Sequence, residues 1–507
     1  MPKVESYPYI EWLRGKGVRV TVRAKDWGQP MLFRAQLGSG TFAAAAMVAW
    51  AVLSPLAPVQ AQPLTDNHCL GKPAIPDDQQ ILGCSDAINS GSLAGKDLAE
   101  AFSNRGRAYY GKGDLDRAMA DYDRSLNIDA SSAVLFYRRC VVYFFRSDYD
   151  RVIDACTRSL ALDPNFAVAY NGRGNAFAAN GDADRAIADF DHAIRLEPEP
   201  YTFNSRGVAY QARGDVDHAI ADFDQALKLD PAYAVAMNNR GRAYQAKGDL
   251  DRAIADYGRA IGLDPKYAMA HSNRGQAYQL KGDMDRALAD YDAAIGINPN
   301  YARAYDSRGS LYGNKGDQDR AIADYDSAIR LDPGLAHAYA NRGSSYTDKG
   351  DYIHALADLD QAIRLDPNSA QPYYNRGVVH TIRKDHDQAI ADYDSAIRLQ
   401  PGLALAWNNR GLAYMGKNEP DRAMADYNEA IRLNPQFSVA FNNRATIFAR
   451  KKDYARAIAD YTEVLRFYPN DAEALFRRGE VRRLNGDKAG GDADVAAARK
   501  MNSDLVE

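Results

Sequence analysis

The sequence predicts an all-α fold, a solenoid of about twelve helix–turn–helix repeats of 34 residues that spans residues 99–505. Two observations predict it: one Arg returns at a fixed interval, and each interval holds two segments whose apolar residues follow helical spacing. A fixed period of this length is typical of stacked supersecondary units. The interval is 34 residues, with one exception of 33, along the series Arg105, Arg139, Arg173, Arg206, Arg240, Arg274, Arg308, Arg342, Arg376, Arg410, Arg444 and Arg478.

The fifth repeat shows how one unit is expected to fold. Gly248 is predicted to end the first helix in the left-handed conformation, and Asp249 to cap the free N–H groups that begin the second. Pro265 ends the second helix. The small and apolar positions at helical spacing are Met237, Gly241 and Tyr244 in the first helix, and Ala253, Ile254, Tyr257, Ala260 and Ile261 in the second.

These positions resemble a known family. The pattern of Gly241, Tyr244, Ala253, Tyr257, Ala260 and Pro265 is similar to the tetratricopeptide repeat, in the variety found in exported bacterial proteins. The resemblance implies a right-handed superhelix whose first helices line a concave groove. It also implies a protein or peptide as the partner.

The N-terminal residues have the layout of an export signal. An apolar run from Thr41 to Leu53 is short for a membrane span and is followed by the small-residue stop that ends at Ala61. We expect residues 31–61 to be a signal peptide that is cleaved after Ala61, which would make the protein periplasmic or secreted with no stable membrane span. The alternative is an uncleaved signal that anchors the protein in the inner membrane.

The signal also bears on the start of the chain. Counting from Met1 makes the basic segment before the apolar run unusually long, whereas Met31 gives one of ordinary length. We therefore expect translation to start at Met31 and residues 1–30 to be an upstream extension. Residues 62–98 are expected to form an N-terminal segment with a degenerate capping helix, since terminal repeats meet water on their outer face.

Four cysteines, an even number, suit an exported protein. They allow three pairings. The pairs Cys69 with Cys84 and Cys140 with Cys156 are favoured because each is local, and the alternative is buried free thiols, above all for the second pair.

Composition and motifs predict neither nucleic-acid binding nor a catalytic or metal site. Lys and Arg total 63 against 67 Asp and Glu, and this net charge of −4 is spread evenly through the repeats, so no nucleic-acid partner is predicted. The eight His residues lack metal-ligand spacing, and no nucleophile motif or phosphate-binding loop stands out. We expect neither catalytic residues nor a metal or other cofactor.

The residue before the repeated Arg is the candidate for binding. An amide side chain both donates and accepts, so a row of them could hold an extended peptide backbone without reading its side chains. The row resembles the asparagine ladder of O-linked N-acetylglucosamine transferases. The alternative is a structural role, in which each Asn bonds a neighbouring helix. The candidate groove residues are Asn104, Asn239, Asn273, Asn341, Asn375, Asn409 and Asn443.

The second repeat departs from the others. It replaces polar groove positions by an apolar patch of Tyr137, Val141, Phe144 and Phe145. We also expect each repeated Arg to pair with an Asp of the second helix, a pairing that the second repeat lacks because Ala155 stands in place of the Asp.

The sequence therefore predicts a non-enzymatic scaffold of the bacterial cell envelope that binds extended polypeptide in its concave groove. The alternative is an assembly scaffold that docks or oligomerises an envelope complex through its convex face or through the apolar patch of the second repeat.

Overall fold

The structure is a computed structural model, and it describes residues 19–20, 35–36, 69 and 75–502. The apolar run and the cleavage site after Ala61 lie outside the described residues, as does Met31. Two short strands, β1 (Arg19–Val20) and β2 (Ala35–Gln36), pair antiparallel with Arg19 opposite Gln36.

Twenty-five α-helices lie in the described residues from 77 to 501, and the predicted all-α repeat fold is confirmed. Helix α1, Asp77–Asn89, lies in the segment where a capping helix was expected and contacts the first helix of the first repeat. None of the helices described is both long and apolar enough to cross a bilayer.

From α2 onward, even-numbered helices are the first helices of the repeats. They are α2 (Gly95–Gly111), α4 (Ala133–Phe145), α6 (Ala167–Ala179), α8 (Pro200–Ala212), α10 (Ala234–Ala246), α12 (Ala268–Leu280), α14 (Ala302–Asn314), α16 (Ala336–Asp348), α18 (Ala370–Ile382), α20 (Ala404–Gly416), α22 (Ser438–Arg450) and α24 (Ala472–Leu484). Odd-numbered helices are the second helices. They are α3 (Leu115–Ile128), α5 (Tyr149–Leu162), α7 (Ala183–Leu196), α9 (Val216–Leu229), α11 (Leu250–Leu263), α13 (Met284–Ile297), α15 (Gln318–Leu331), α17 (Tyr352–Leu365), α19 (His386–Leu399), α21 (Pro420–Leu433), α23 (Tyr454–Phe467) and α25 (Lys488–Met501).

The chain divides into two compact units, Met1–Ala304 and Tyr305–Glu507. Within each unit the two helices of a repeat pack on each other, and consecutive first helices also contact directly, as do α8 with α10 and α18 with α20. The second helices contact mainly first helices. In each unit the first helices therefore form an inner face, which is the surface of the even-numbered helices that points away from the second helices.

The turn between the helices is built as predicted. Gly248 has a φ of +78°, which a residue with a side chain adopts only at a cost. The Asp249 side chain accepts a hydrogen bond of 3.1 Å from the backbone N–H of Arg252 and so caps α11. Asp249 and Asp251 form an Asp-x-Asp pair of a kind that recurs in other repeats; the first member caps the helix, and the second forms an ion pair. Asp251 pairs with Lys281 of the next repeat.

In the fifth repeat, as in most others, the close packing of the two helices depends on a glycine in the first helix. A Cβ placed on Gly241 would lie 2.7 Å from a ring carbon of the buried Tyr257, so a side chain here would force the helices apart. In the second repeat the same two registers, 16 residues apart, are occupied by Cys140 and Cys156. These two cysteines are joined by a disulfide, as are Cys69 and Cys84. The disulfide therefore takes the place of the glycine–aromatic contact.

Ion pairs join the two helices in eleven repeats. In each, the repeated Arg donates two hydrogen bonds to an Asp that lies 16 residues later on the second helix, as Arg105 does to Asp121 at 2.7 and 2.8 Å. Arg139 of the second repeat pairs instead with Asp123 of the preceding second helix, at 3.2 Å. The predicted Arg–Asp pairing is confirmed, including its exception.

Candidate functional site

The seven candidate Asn residues all lie on first helices, three in the first unit and four in the second. We call them the amide row. Asn239 is buried and the other six are half-buried. They occupy the inner face and not the surface formed by the second helices.

Most of the amide row is engaged with the preceding repeat. Six of the seven donate their side-chain N–H to a residue 35 positions earlier, on the preceding first helix or, for Asn104, to the Cys69 carbonyl. The donor and acceptor pairs are Asn104 with Cys69 (3.1 Å), Asn239 with Asn204 (3.0 Å), Asn273 with Asn238 (2.9 Å), Asn341 with Asp306 (3.3 Å), Asn409 with Tyr374 (3.2 Å) and Asn443 with Asn408 (3.0 Å).

These contacts show the structural role that was the alternative interpretation of the row. These hydrogen bonds do not use all the donors and acceptors of the amides, because each carboxamide has two N–H donors and an oxygen with two lone pairs. One bond fixes the orientation of the half-buried group and leaves hydrogen-bonding capacity on the inner face. The row is thus both a connection between repeats and a set of oriented polar groups.

Asn375 differs from the rest of the row. Its oxygen accepts a hydrogen bond of 2.8 Å from the Gln371 side chain of its own helix. A substitution at Asn375 would therefore leave the bonds between consecutive repeats in place.

The row is interrupted where the next repeat lacks the Asn. The buried side-chain oxygens of Asn171 and Asn442 have no hydrogen-bond partner among the residues that the structure describes. In the following repeats Ser205 and Arg477 stand in the register of the donor. In the second repeat Arg138 replaces the Asn and keeps the connection, since its guanidinium donates to the Ser103 hydroxyl at 2.6 Å.

The sequence motifs did not indicate how acidic residues are distributed over the first helices. Eight of the twelve first helices contain no Asp or Glu, although the chain as a whole is slightly acidic; they are α4, α6, α8, α10, α12, α18, α20 and α22. Their repeated Arg residues are neutralised by the second helices. Arg242 of α10 is exposed and forms no ion pair with any residue that the structure describes.

The apolar patch predicted in the second repeat is not available to a partner. Tyr137, Val141 and Phe144 are buried within one core cluster that contains the Cys140–Cys156 disulfide, and only Phe145 is half-buried. The prediction of a docking patch is wrong for the three buried residues, because the second repeat packs its larger apolar side chains inward.

Nothing in the described residues forms a metal centre. No group of three or more His, Cys, Asp or Glu side chains is arranged to hold an ion in the part of the chain that the structure describes.

Comparison with known families accounts for the repeats. Models described as TPR repeat match residues 207–248, 241–282 and 343–381, and models described as tetratricopeptide repeat match 99–131, 141–200, 268–301, 302–335, 370–403, 404–437 and 442–499. The chain belongs to the tetratricopeptide repeat family. A tetratricopeptide repeat chain of this kind is a protein-interaction scaffold. None of the curated proteins matches it significantly.

Solved structures similar to this tetratricopeptide repeat chain are more distant. The APC/C hetero-tetramer Cut9–Hcn1 is 16% identical, with 80% of this chain and 93% of that chain covered and a TM-score of 0.48. Yeast Tom70 is 16% identical over 80% of this chain and 96% of its own, with a TM-score of 0.38. MamA is 29% identical over 32% of this chain and 94% of its own, with a TM-score of 0.29.

Proposed function

We propose that this protein is a non-enzymatic scaffold of the bacterial cell envelope that holds extended polypeptide segments against the inner face of its first helices. The observation that carries the proposal is the amide row, of whose seven members six are oriented by a bond 35 residues back along the chain and the seventh, Asn375, by a bond within its own helix. Groups held in place before binding lose less conformational freedom on binding, which favours affinity.

An extended backbone presents alternating N–H and C=O groups, and a carboxamide can both donate to it and accept from it. Many such contacts, each weak, would bind polypeptides of different sequence. The partner predicted is therefore an unfolded or extended segment and not one particular folded surface.

Location is part of the proposal. The apolar run followed by small residues supports export with cleavage after Ala61, and two disulfides suit an oxidising compartment. Cell fractionation with N-terminal sequencing of the mature protein tests this: a mature chain that begins at Gln62 is expected, and an uncleaved chain in the inner membrane would contradict it.

Binding is tested at Asn375, where the change leaves the connections between repeats intact. Asn375→Ala is expected to weaken the binding of short unstructured peptides about fivefold, the loss of roughly one hydrogen bond, with unchanged thermal unfolding. Asn368→Ala is the matched control, because Asn368 is exposed in the turn that precedes the same repeat. Equal peptide affinity of the natural protein and both variants would contradict the proposal.

A further inference from the structure

The repeated Arg contacts the preceding helix as well as the Asp of its own repeat. Arg240, for example, donates a hydrogen bond of 2.6 Å from Nη1 to Asp224 on α9. Ten of the twelve repeats make such a contact to a side-chain oxygen. The acceptors are Ser85, Asp123, Thr157, Asp191, Asp224, Asp326, Asp360, Asp394, Asn428 and Thr462. An oxygen at this register is thus a regular part of the repeat.

Arg274 of the sixth repeat lacks this acceptor, because Gly258 of α11 stands in its place. Arg274 still donates from Nε and Nη2 to Asp290, at 2.8 Å each. Its Nη1 has no hydrogen-bond partner among the residues that the structure describes, and this nitrogen is not buried. The Arg274 side chain is 25% exposed, against 15% for Arg240. One end of the Arg274 guanidinium therefore keeps unbonded N–H donors within reach of solvent.

The space in front of Nη1 is open. A Cβ placed on Gly258 would lie 3.7 Å from Nη1 of Arg274 and within 4 Å of no other neighbouring atom. In other repeats a carboxylate occupies the equivalent space, and Asp224, Asp326 and Asp394 are 49%, 50% and 52% exposed there. A carboxylate at this register is therefore reached from solvent, so it can also come from outside the chain.

The charge at this position favours an anion. Arg240 faces two carboxylates, Asp256 and Asp224. Arg274 faces only that of Asp290, which also lies 3.2 Å from the ring of His271. The guanidinium is thus less fully neutralised than those of the neighbouring repeats. Charge-assisted hydrogen bonds from a guanidinium to a carboxylate are among the stronger polar contacts in proteins.

The geometry points to a docking site for one acidic side chain of a protein partner, formed by Arg274 and the open space over Gly258. An Asp or Glu of the partner supplies the carboxylate that the preceding helix supplies in other repeats. The site opens beside second helix α11, and it is independent of the binding proposed for the inner face.

A protein side chain is the favoured source of the carboxylate. A single ion pair at a partly exposed position contributes little affinity by itself. A free carboxylate consequently occupies the site only at millimolar concentrations or above. A carboxylate carried on a partner's surface needs no such concentration, because the remaining contacts of the partner hold it in place.

The test is an NMR titration of the mature protein with N-acetylglutamate α-amide, a probe whose only charge is the side-chain carboxylate. The signals followed are the backbone N–H of Gly258 and the Nε–H of Arg274. Both should shift saturably, with half-saturation at roughly 10–100 mM. N-acetylglutamine amide, and sodium chloride at the same ionic strength, should give no saturable shift.

Two variants locate the response. Gly258→Asp restores the residue that the fourth repeat has at Asp224, so it should bond Arg274 and abolish the response to the glutamate probe. Gly258→Ala is the matched control, since it adds a Cβ without an acceptor and should retain the response. Thermal unfolding of both variants at or above the temperature of the natural protein shows that the fold is intact.

Three results would overturn the site. The first is the absence of a saturable shift in the natural protein. The second is a response that persists in Gly258→Asp. The third is an equal shift with chloride, which would show an unselective anion site and not a carboxylate site. All three leave the binding proposed for the amide row untouched.

Discussion

Arg240 and Asp256 are joined across the two helices of the fifth repeat by two hydrogen bonds of 2.7 Å each. The third guanidinium nitrogen reaches Asp224, on the second helix of the preceding repeat, at 2.6 Å. One side chain thus connects the two helices of its own repeat with the repeat before it. Because Asp256 is buried, the pair is a structural element and not a binding site.

Removing the Asp256 carboxylate should leave the half-buried Arg240 guanidinium without its main partner. Asp256→Ala is expected to lower the free energy of unfolding by about 3 kcal/mol, measured by urea denaturation. Asp251→Ala, whose side chain is largely exposed on the same helix, is the control and should cost under about 1 kcal/mol. The double variant Arg240→Met/Asp256→Ala should recover much of the loss, and equal losses in the single and double variants would contradict this account.

The disulfide of the second repeat should be replaceable by the glycine–aromatic contact that most other repeats use. Cys140→Ser/Cys156→Ser is expected to lower the free energy of unfolding by about 2–5 kcal/mol, since it removes the bond and leaves two polar groups in a core. Cys140→Gly/Cys156→Tyr installs the pair found in the fifth repeat and should recover most of that stability. Thermal unfolding measures both, and a Gly/Tyr variant no more stable than the Ser variant would show that the registers are not equivalent.

Protonation of His337 makes the stability of the second unit depend on pH. Its ring nitrogen lies 2.8 Å from Asp306, and this hydrogen bond raises the pKa of His337 above its ordinary value of 6.5 although burial opposes the shift. The protonated ring therefore contributes stability that is complete below about pH 6.5 and is lost as the pH rises through the higher pKa of the folded state.

The measurement is an NMR titration of the His337 ring together with thermal unfolding at acidic and alkaline pH. His337→Gln should remove the part of the pH dependence that lies above pH 6.5. A titration midpoint at or below 6.5 in the folded protein would contradict the interaction with Asp306.

The amide row should contribute to stability as well as to binding. Asn273→Ala removes the donor to the buried Asn238 oxygen and is expected to cost about 1–3 kcal/mol in free energy of unfolding. Asn300→Ala, in an exposed turn of the same unit, should cost almost nothing. If the two variants unfold at the same denaturant concentration, the bond from Asn273 to Asn238 contributes no stability.

The repeat could be derived from sequence because its signals are local. Gly248 and Asp249 adjoin the turn that they form, and Arg240 lies 16 residues before Asp256, a spacing that two packed helices of this length bring together. The bonds of the amide row could not be derived in the same way. They join residues 35 positions apart, and their geometry depends on how consecutive first helices stack.

The second repeat shows where sequence reasoning failed. Apolar residues at Tyr137, Val141 and Phe144 replace polar ones at registers expected to face a groove, which suggested an exposed patch. Packing around the Cys140–Cys156 disulfide buries them instead.

The central claim is that polypeptide binds to the inner face of the first helices. Site-specific photo-crosslinking tests it most directly, with the probe at Gln276 on first helix α12 or at Gln225 on second helix α9, both exposed glutamines of the first unit. The account predicts that short unstructured peptides crosslink at position 276 and not at position 225. Crosslinking at 225 with none at 276 would contradict it.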